Sequence, residues 1–181
     1  MIVARLLQFA VAPGVVAHEF AHWLACKLTG TRVHEVCWFQ FGDPAGYVVH
    51  DRAASASAGA LIGFAPTLVN TALAAMVSYR PAFKLLSGAP WLFVDAALAW
   101  LGFVVALRAF PSRADAKAMW EAARAARFGW LKALMVGPLW LLAQILSLGS
   151  KLWLDVVFAL IVCFAAPALK LAGEGRLRWP F

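Results

Sequence analysis

Charged residues are scarce in this chain. They make up 14% of its 181 residues, against 64% hydrophobic. A soluble domain is closer to half apolar, so the composition leaves no room for a large soluble domain and predicts an integral membrane protein. Cysteine is sparse as well. Cys26, Cys37 and Cys163 form no CxxC or other paired spacing, which leaves a disulfide framework and a cysteine-zinc site without support. No internal repeat and no low-complexity linker is present. One membrane-embedded domain over residues 1–181 is therefore expected. Acidic residues number 9 against 16 Lys and Arg, for a net charge of +7. The bases are dispersed between apolar runs, which argues against a nucleic-acid partner and fits the positive-inside rule.

What the chain has is long apolar runs. About 20 such residues cross a bilayer as helix. Five stretches qualify, at roughly 2–28, 53–79, 89–110, 128–148 and 152–172. The expected fold is thus an all-α integral membrane protein with about five transmembrane helices. Arg5 before an apolar run resembles a signal peptide, but cleavage there would isolate the motif described below, so a retained span is expected. Pro13-Gly14 is placed to kink the first span or restart it, and Gly149-Ser150 to form a tight hairpin between the last two. With the N-terminus outside, twelve bases fall on the cytoplasmic side: Lys27, Arg32, Arg52, Arg108, Arg113, Lys117, Arg124, Arg127, Lys132, Lys170, Arg176 and Arg178. Four fall outside: Arg5, Arg80, Lys84 and Lys151. That bias predicts a multi-pass cell-membrane protein running N-out, C-in.

Two segments between the spans differ in kind. Residues 33–41 are rich in strand formers, Gly42-Asp43-Pro44-Ala45-Gly46 is a turn cluster, and Tyr47-Val48-Val49-His50 reads as a returning strand. A short cytoplasmic β-hairpin between the first two spans follows. It stands equally as a cap over the helices or as an edge for an extended substrate segment. Residues 112–127 read as a cytoplasmic surface helix with basic contacts to lipid headgroups.

The chemistry is concentrated in His18-Glu19-Phe20-Ala21-His22, inside the first apolar run. On a helix His18 and His22 stand one turn apart on one face, where both imidazoles reach one metal ion. Glu19 stands beside them as a base for a water molecule. Two packing histidines and a protonated Glu are the bland alternative, but three ionisable groups on one intramembrane turn point to a functional site. Zinc is the expected ion on ligand type.

A catalytic zinc site needs a third protein ligand. Glu35, His50, Asp51, Asp95, Asp115 and Asp155 are the candidates. Asp95 and Asp155 begin spans on the outer side, far from the motif. Asp115 follows the third span on the inner side, where it serves equally as ligand or as the cap in Ser112-x-x-Asp115. His34 and His50 read as solvated loop residues. Gly59, Ala60, Gly63 and Ala65 suit close helix approach, Pro66 a kink, and Asn70 interhelix contact.

Together these residues resemble the site-2-protease-like membrane zinc metalloproteases, particularly their small prokaryotic members. His18-Glu19-Phe20-Ala21-His22, the hairpin segment after it, Phe64-Ala65-Pro66-Thr67-Leu68-Val69-Asn70 and Phe110-Pro111-Ser112-Arg113-Ala114-Asp115-Ala116 carry the resemblance, over about residues 10–118. It implies that His18, His22 and Asp115 bind zinc, that Glu19 is the catalytic base, and that Asn70 is near bound substrate. The implied activity is cleavage of a membrane protein or peptide within the lipid bilayer near its cytoplasmic side. A non-proteolytic zinc-binding scaffold or regulatory protein is the alternative. Neither the substrate nor the oligomeric state is written in the sequence.

Overall fold

The computed structural model describes residues 2–125, 129–149 and 153–176. The chain is mostly helical, at 74%. Among the described residues seven helices run in the order α1 (Ile2–Ala10), α2 (Ala12–Leu28), α3 (Ala56–Ser87), α4 (Phe93–Leu107), α5 (Arg113–Ala125), α6 (Gly129–Gly149) and α7 (Leu154–Gly173). Strands β1 (Val33–Cys37) and β2 (Tyr47–His50) lie between α2 and α3. The Gly149-Ser150 turn, Arg127, Lys151 and Arg178, together with the Lys132 side chain, lie outside the described residues.

Helix α3 is the hub, packing on α2, α4, α5 and α7. Its start is fixed by Ser55, whose Oγ accepts from the Ala58 amide at 3.1 Å. Its end is fixed by Gly88, a left-handed residue at φ 71° that closes the last turn. The 32 residues between span about 48 Å at 1.5 Å per residue. Helix α4 returns antiparallel along it. At one end the Asp95 carboxylate accepts from the Leu92 amide and from Lys84 Nζ, and meets Arg80 Nε at 3.2 Å. At the other end Thr67 and Asn70 of α3 donate to the carbonyls of Ala109 and Arg108, just past the end of α4.

Small residues set the spacing of the bundle. A Cβ on Gly102 of α4 would lie 2.8 Å from the Ser78 Cβ of α3. One on Gly59 of α3 would lie 2.6 Å from the Ala122 Cβ of α5. Ala21, Ala25, Cys26, Ile62, Ala65 and Ala122 form a core between α2, α3 and α5. Short side chains let these backbones approach closely, as in membrane helix packing generally. The glycines expected to pack do so.

Helices α3 and α7 are long and apolar enough to cross a membrane. The first apolar run is not a single rod. It breaks at Val11, just before Pro13, and α1 and α2 meet at a 54° bend. They count as a third span only if the bent pair is one. Helix α4 and the segment Val136–Ile145 are apolar but shorter. Helix α1 buries no residue and leaves Ile2, Val3, Leu6, Leu7 and Phe9 exposed.

The hairpin forms, with a shorter first strand than expected. Glu35 pairs with Val49, Val36 with Val48 and Cys37 with Tyr47, and an irregularity falls between Val33 and Glu35. The hairpin folds back along α2, so that Gly46 reaches Val15 and Glu19 and the turn meets α1, where Gln8 Nε2 donates to the Gly42 carbonyl at 3.2 Å. Trp38 closes the flank, in ring contact with Phe20 and Trp23 of α2.

Candidate metal centre

His18, Glu19 and His22 lie on the inner face of α2 and are all buried. Helix α3 faces them with Ile62, and the C-terminal end of α4 with Arg108. Helix α5 brings Asp115. Pro111 and Ser112 start that helix, and its buried face of Ala116, Met119, Ala122 and Ala123 seats it in the bundle. Gly63 leaves room for it: a Cβ there would already touch Met119 Cβ at 3.4 Å and the Asp115 carbonyl at 3.5 Å.

The two rings are held by main-chain carbonyls. His18 Nδ1 lies 2.7 Å from the Arg108 oxygen, and His22 Nδ1 lies 2.9 Å from the Ile62 oxygen. A carbonyl only accepts, so each Nδ1 carries its ring's proton. In the neutral rings each Nε2 is then a bare lone pair. The two Nε2 atoms stand 3.2 Å apart and neither has a proton to give. Asp115 adds acceptors, with Oδ1 at 3.2 Å from His22 Nε2 and Oδ2 at 3.7 Å from His18 Nε2.

Such a convergence is repulsive unless positive charge lies within it. One extra proton can bridge one of these contacts. A divalent ion can satisfy all three. One donor atom from each residue falls within 4.8 Å of the others. Tetrahedral zinc with bonds of about 2.0–2.1 Å holds its ligand atoms about 3.3 Å apart, close to the 3.2 Å between the two Nε2 atoms and the 3.2 Å from His22 Nε2 to Asp115 Oδ1, while the 3.7 Å contact to His18 Nε2 is made by the other carboxylate oxygen. Two imidazole nitrogens and one carboxylate fit zinc in number, chemistry and spacing.

Asp115 is both cap and cluster member. Its amide donates to Ser112 Oγ at 3.2 Å, and its Oδ2 accepts from the Ser112 amide at 2.6 Å. The cap engages Oδ2, which is also the oxygen 3.7 Å from His18 Nε2, and leaves Oδ1 for His22. The cap fixes the carboxylate while Oδ1 faces His22.

The other ligand candidates are committed elsewhere. Glu35 Oε1 accepts from the Tyr47 hydroxyl at 2.6 Å, and Asp51 Oδ1 pairs with His34 Nε2 at 2.7 Å. The hydrogen bond to Glu35 pushes the half-buried Tyr47 phenol up, and the one from His34 holds the Asp51 carboxyl below its ordinary value. His50 Nδ1 meets the Asp51 carbonyl. Asp95 lies in its ion pairs at the far end of α4, and Asp155 Oδ1 accepts the Val156 amide at the start of α7.

Asn70 is not placed to touch a substrate. It is wholly buried, and its Nδ2 donates to the Arg108 oxygen at 3.0 Å and the Val105 oxygen at 3.3 Å. The Arg108 carbonyl is the one that holds His18, so Asn70 steadies the orientation of that ring from behind. Among the described residues its Oδ1 has no hydrogen-bond partner. Glu19 sits under the hairpin, and a Cβ on Gly46 would lie 2.8 Å from its Cγ.

Sequence reasoning did not find Arg108 and Ile62, whose carbonyls orient the histidines. Main-chain acceptors leave no mark in residue type. A signal for one existed in Pro66, four residues after Ile62.

Compared with known proteins, the chain matches no family model, no curated protein and no solved structure.

Proposed function

We propose that this protein is a membrane-embedded zinc endopeptidase of the site-2-protease-like kind. One observation carries the proposal: three lone-pair donors, on His18, His22 and Asp115, converge, with both imidazole protons committed to main-chain carbonyls, beside the buried carboxylate of Glu19. Among the described residues the cluster stops at three. That supports a ligand set with an open fourth position over a closed structural site, which takes four protein ligands. A scaffold that keeps zinc without proteolysis is the competing account, and activity decides between them.

Zinc held there would act as a Lewis acid and lower the pKa of a water by several units. His18, His22 and Asp115 hold the ion. Glu19 takes a proton from the attacking water and returns it to the leaving amine. The hairpin lies against Glu19 through Gly46, so its free strand edges sit within reach of the site. A helical substrate hides its carbonyls in internal hydrogen bonds. Locally unwound, it can pair with such an edge and present one peptide bond.

In this proposal α3 and α7 span the membrane in the same direction, α4 returns between them, and α1 and α2 form one broken span. The metal end carries Arg52, Arg108, Arg113, Lys117 and Arg124, whereas the far end carries Arg80 and Lys84 of α3 and Lys170 of α7, whose Nζ lies over the Phe83 ring, so the end of α7 lies opposite the metal end and not on the cytoplasmic side expected for it. The metal end is then cytoplasmic, and substrates are membrane proteins or peptides cut near that side.

The test is cleavage of transmembrane peptide substrates by detergent-purified protein. Glu19→Gln removes the base and leaves the three ligands, so cleavage should vanish while bound zinc stays. Wild-type cleavage rates in that variant would sink the proposal.

A further inference from the structure

His22 is held by a carbonyl that an ordinary helix would not offer. Ile62 is inside α3, where its oxygen would accept from the amide four residues on. That residue is Pro66, which has no amide hydrogen. The Ile62 oxygen is thus released, in a buried setting where an unmatched carbonyl is costly. His22 Nδ1 takes it at 2.9 Å.

We propose that Pro66 is a positioning residue of the metal centre: by removing one helical donor from α3 it frees the Ile62 carbonyl to fix the tautomer and tilt of His22. The inference rests on the proposed zinc-binding role of His22. It goes beyond that role by assigning the proline a task other than bending the helix. The two rings reach one end by different routes. His18 uses the Arg108 carbonyl, released because α4 ends at Leu107 and the chain leaves the helix there. His22 has only the middle of α3 to face, where no helix end is at hand, and a proline creates the acceptor. The same device recurs away from the site. Pro167 in α7 releases the Cys163 carbonyl, and Ser78 Oγ of α3 approaches it at 3.5 Å.

A hydrogen bond that orients a metal-bound histidine is worth about 10–100-fold in metal affinity. Pro66→Ala restores an amide that competes for the Ile62 oxygen within the helix. Zinc affinity, read by competition with a chromophoric chelator in detergent, should fall by about that factor. Helix content should stay the same, because alanine is the better helix former. Pro81→Ala makes the same exchange in the same helix, about 22 Å further along, and should leave the affinity unchanged. Nitrogen-15 imidazole spectra of the metal-free protein supply a readout that helix bending alone would not move. Wild type should show His22 protonated at Nδ1, and Pro66→Ala a mixture of tautomers.

Equal zinc affinity in wild type and Pro66→Ala would overturn the role of Pro66 and leave the metal centre standing. Failure of folded wild type to bind zinc would overturn the metal centre instead. The spectra decide Pro66 in either event: His22 protonated at Nε2 in metal-free wild type, or an unchanged spectrum in Pro66→Ala, would refute it, and so would an equal loss of affinity in Pro81→Ala.

Discussion

Gly14→Ala is a one-methyl test of how the metal centre is held. Gly14 lies where α2 crosses the end of α4. A Cβ there would stand 2.0 Å from the Val104 oxygen and 2.8 Å from the Val104 carbonyl carbon. Both are backbone atoms, so no rotamer change relieves the clash. Real contacts do not come under 3.0 Å, so the two helices must part by about 1 Å at that point. His18 is one turn further along α2, and Arg108 one turn further along α4. The same parting would stretch the 2.7 Å contact from His18 Nδ1 to about 3.7 Å, beyond hydrogen-bond range. Overpacking of this kind costs about 1–3 kcal/mol of stability. Loss of the orienting bond lowers zinc affinity by about 10–100-fold. Thermal unfolding in detergent and chelator competition measure the two effects. A variant with wild-type melting temperature and wild-type zinc affinity would refute the tight crossing and the role of the Arg108 carbonyl together.

Three further outcomes follow from the same geometry. Asn70→Leu keeps the volume but removes the donor to the Arg108 oxygen; zinc affinity should fall by about tenfold, while stability changes by about 1 kcal/mol or less because the unpartnered Oδ1 is removed as well. Gly46→Ala puts a methyl 2.8 Å from Glu19 Cγ, so cleavage should drop at unchanged zinc content, measured on the same preparation. Asp51 has its folded-state pKa depressed below 3.8 by the His34 hydrogen bond. Its contribution to the hairpin is therefore present above that pH and lost as pH falls through the depressed value. Amide exchange in β2 should accelerate in that acid range, and Asp51→Asn should remove the pH dependence.

The histidine pair was legible because a spacing of four on a helix leaves little freedom: the side chains share a face wherever the helix goes. Asp115 was half legible. Its place after Pro111 and Ser112 marked a helix start, yet the sequence could not show that one carboxylate serves cap and cluster at once. The hairpin strands could be read from their residue types and the turn cluster. Their position along α2 could not, because it depends on Gly46 meeting Val15 and Glu19 across the fold. Asn70 was expected to face either a neighbouring helix or a substrate, and only the end of α4 decides between them. The carbonyls of Ile62 and Arg108 were hidden for a general reason: a backbone oxygen has the same chemistry at every residue, and only a proline or a helix end makes one available.

Metal content per chain of the detergent-purified protein tests the central claim most directly, with Asp115→Ala and Asp95→Ala measured beside wild type. The account predicts about one zinc in wild type, retained in Asp95→Ala, whose carboxylate lies in its ion pairs at the far end of α4, and lost or greatly weakened in Asp115→Ala. Folded wild-type protein that binds no zinc would contradict it, and would leave His18 and His22 as packing residues.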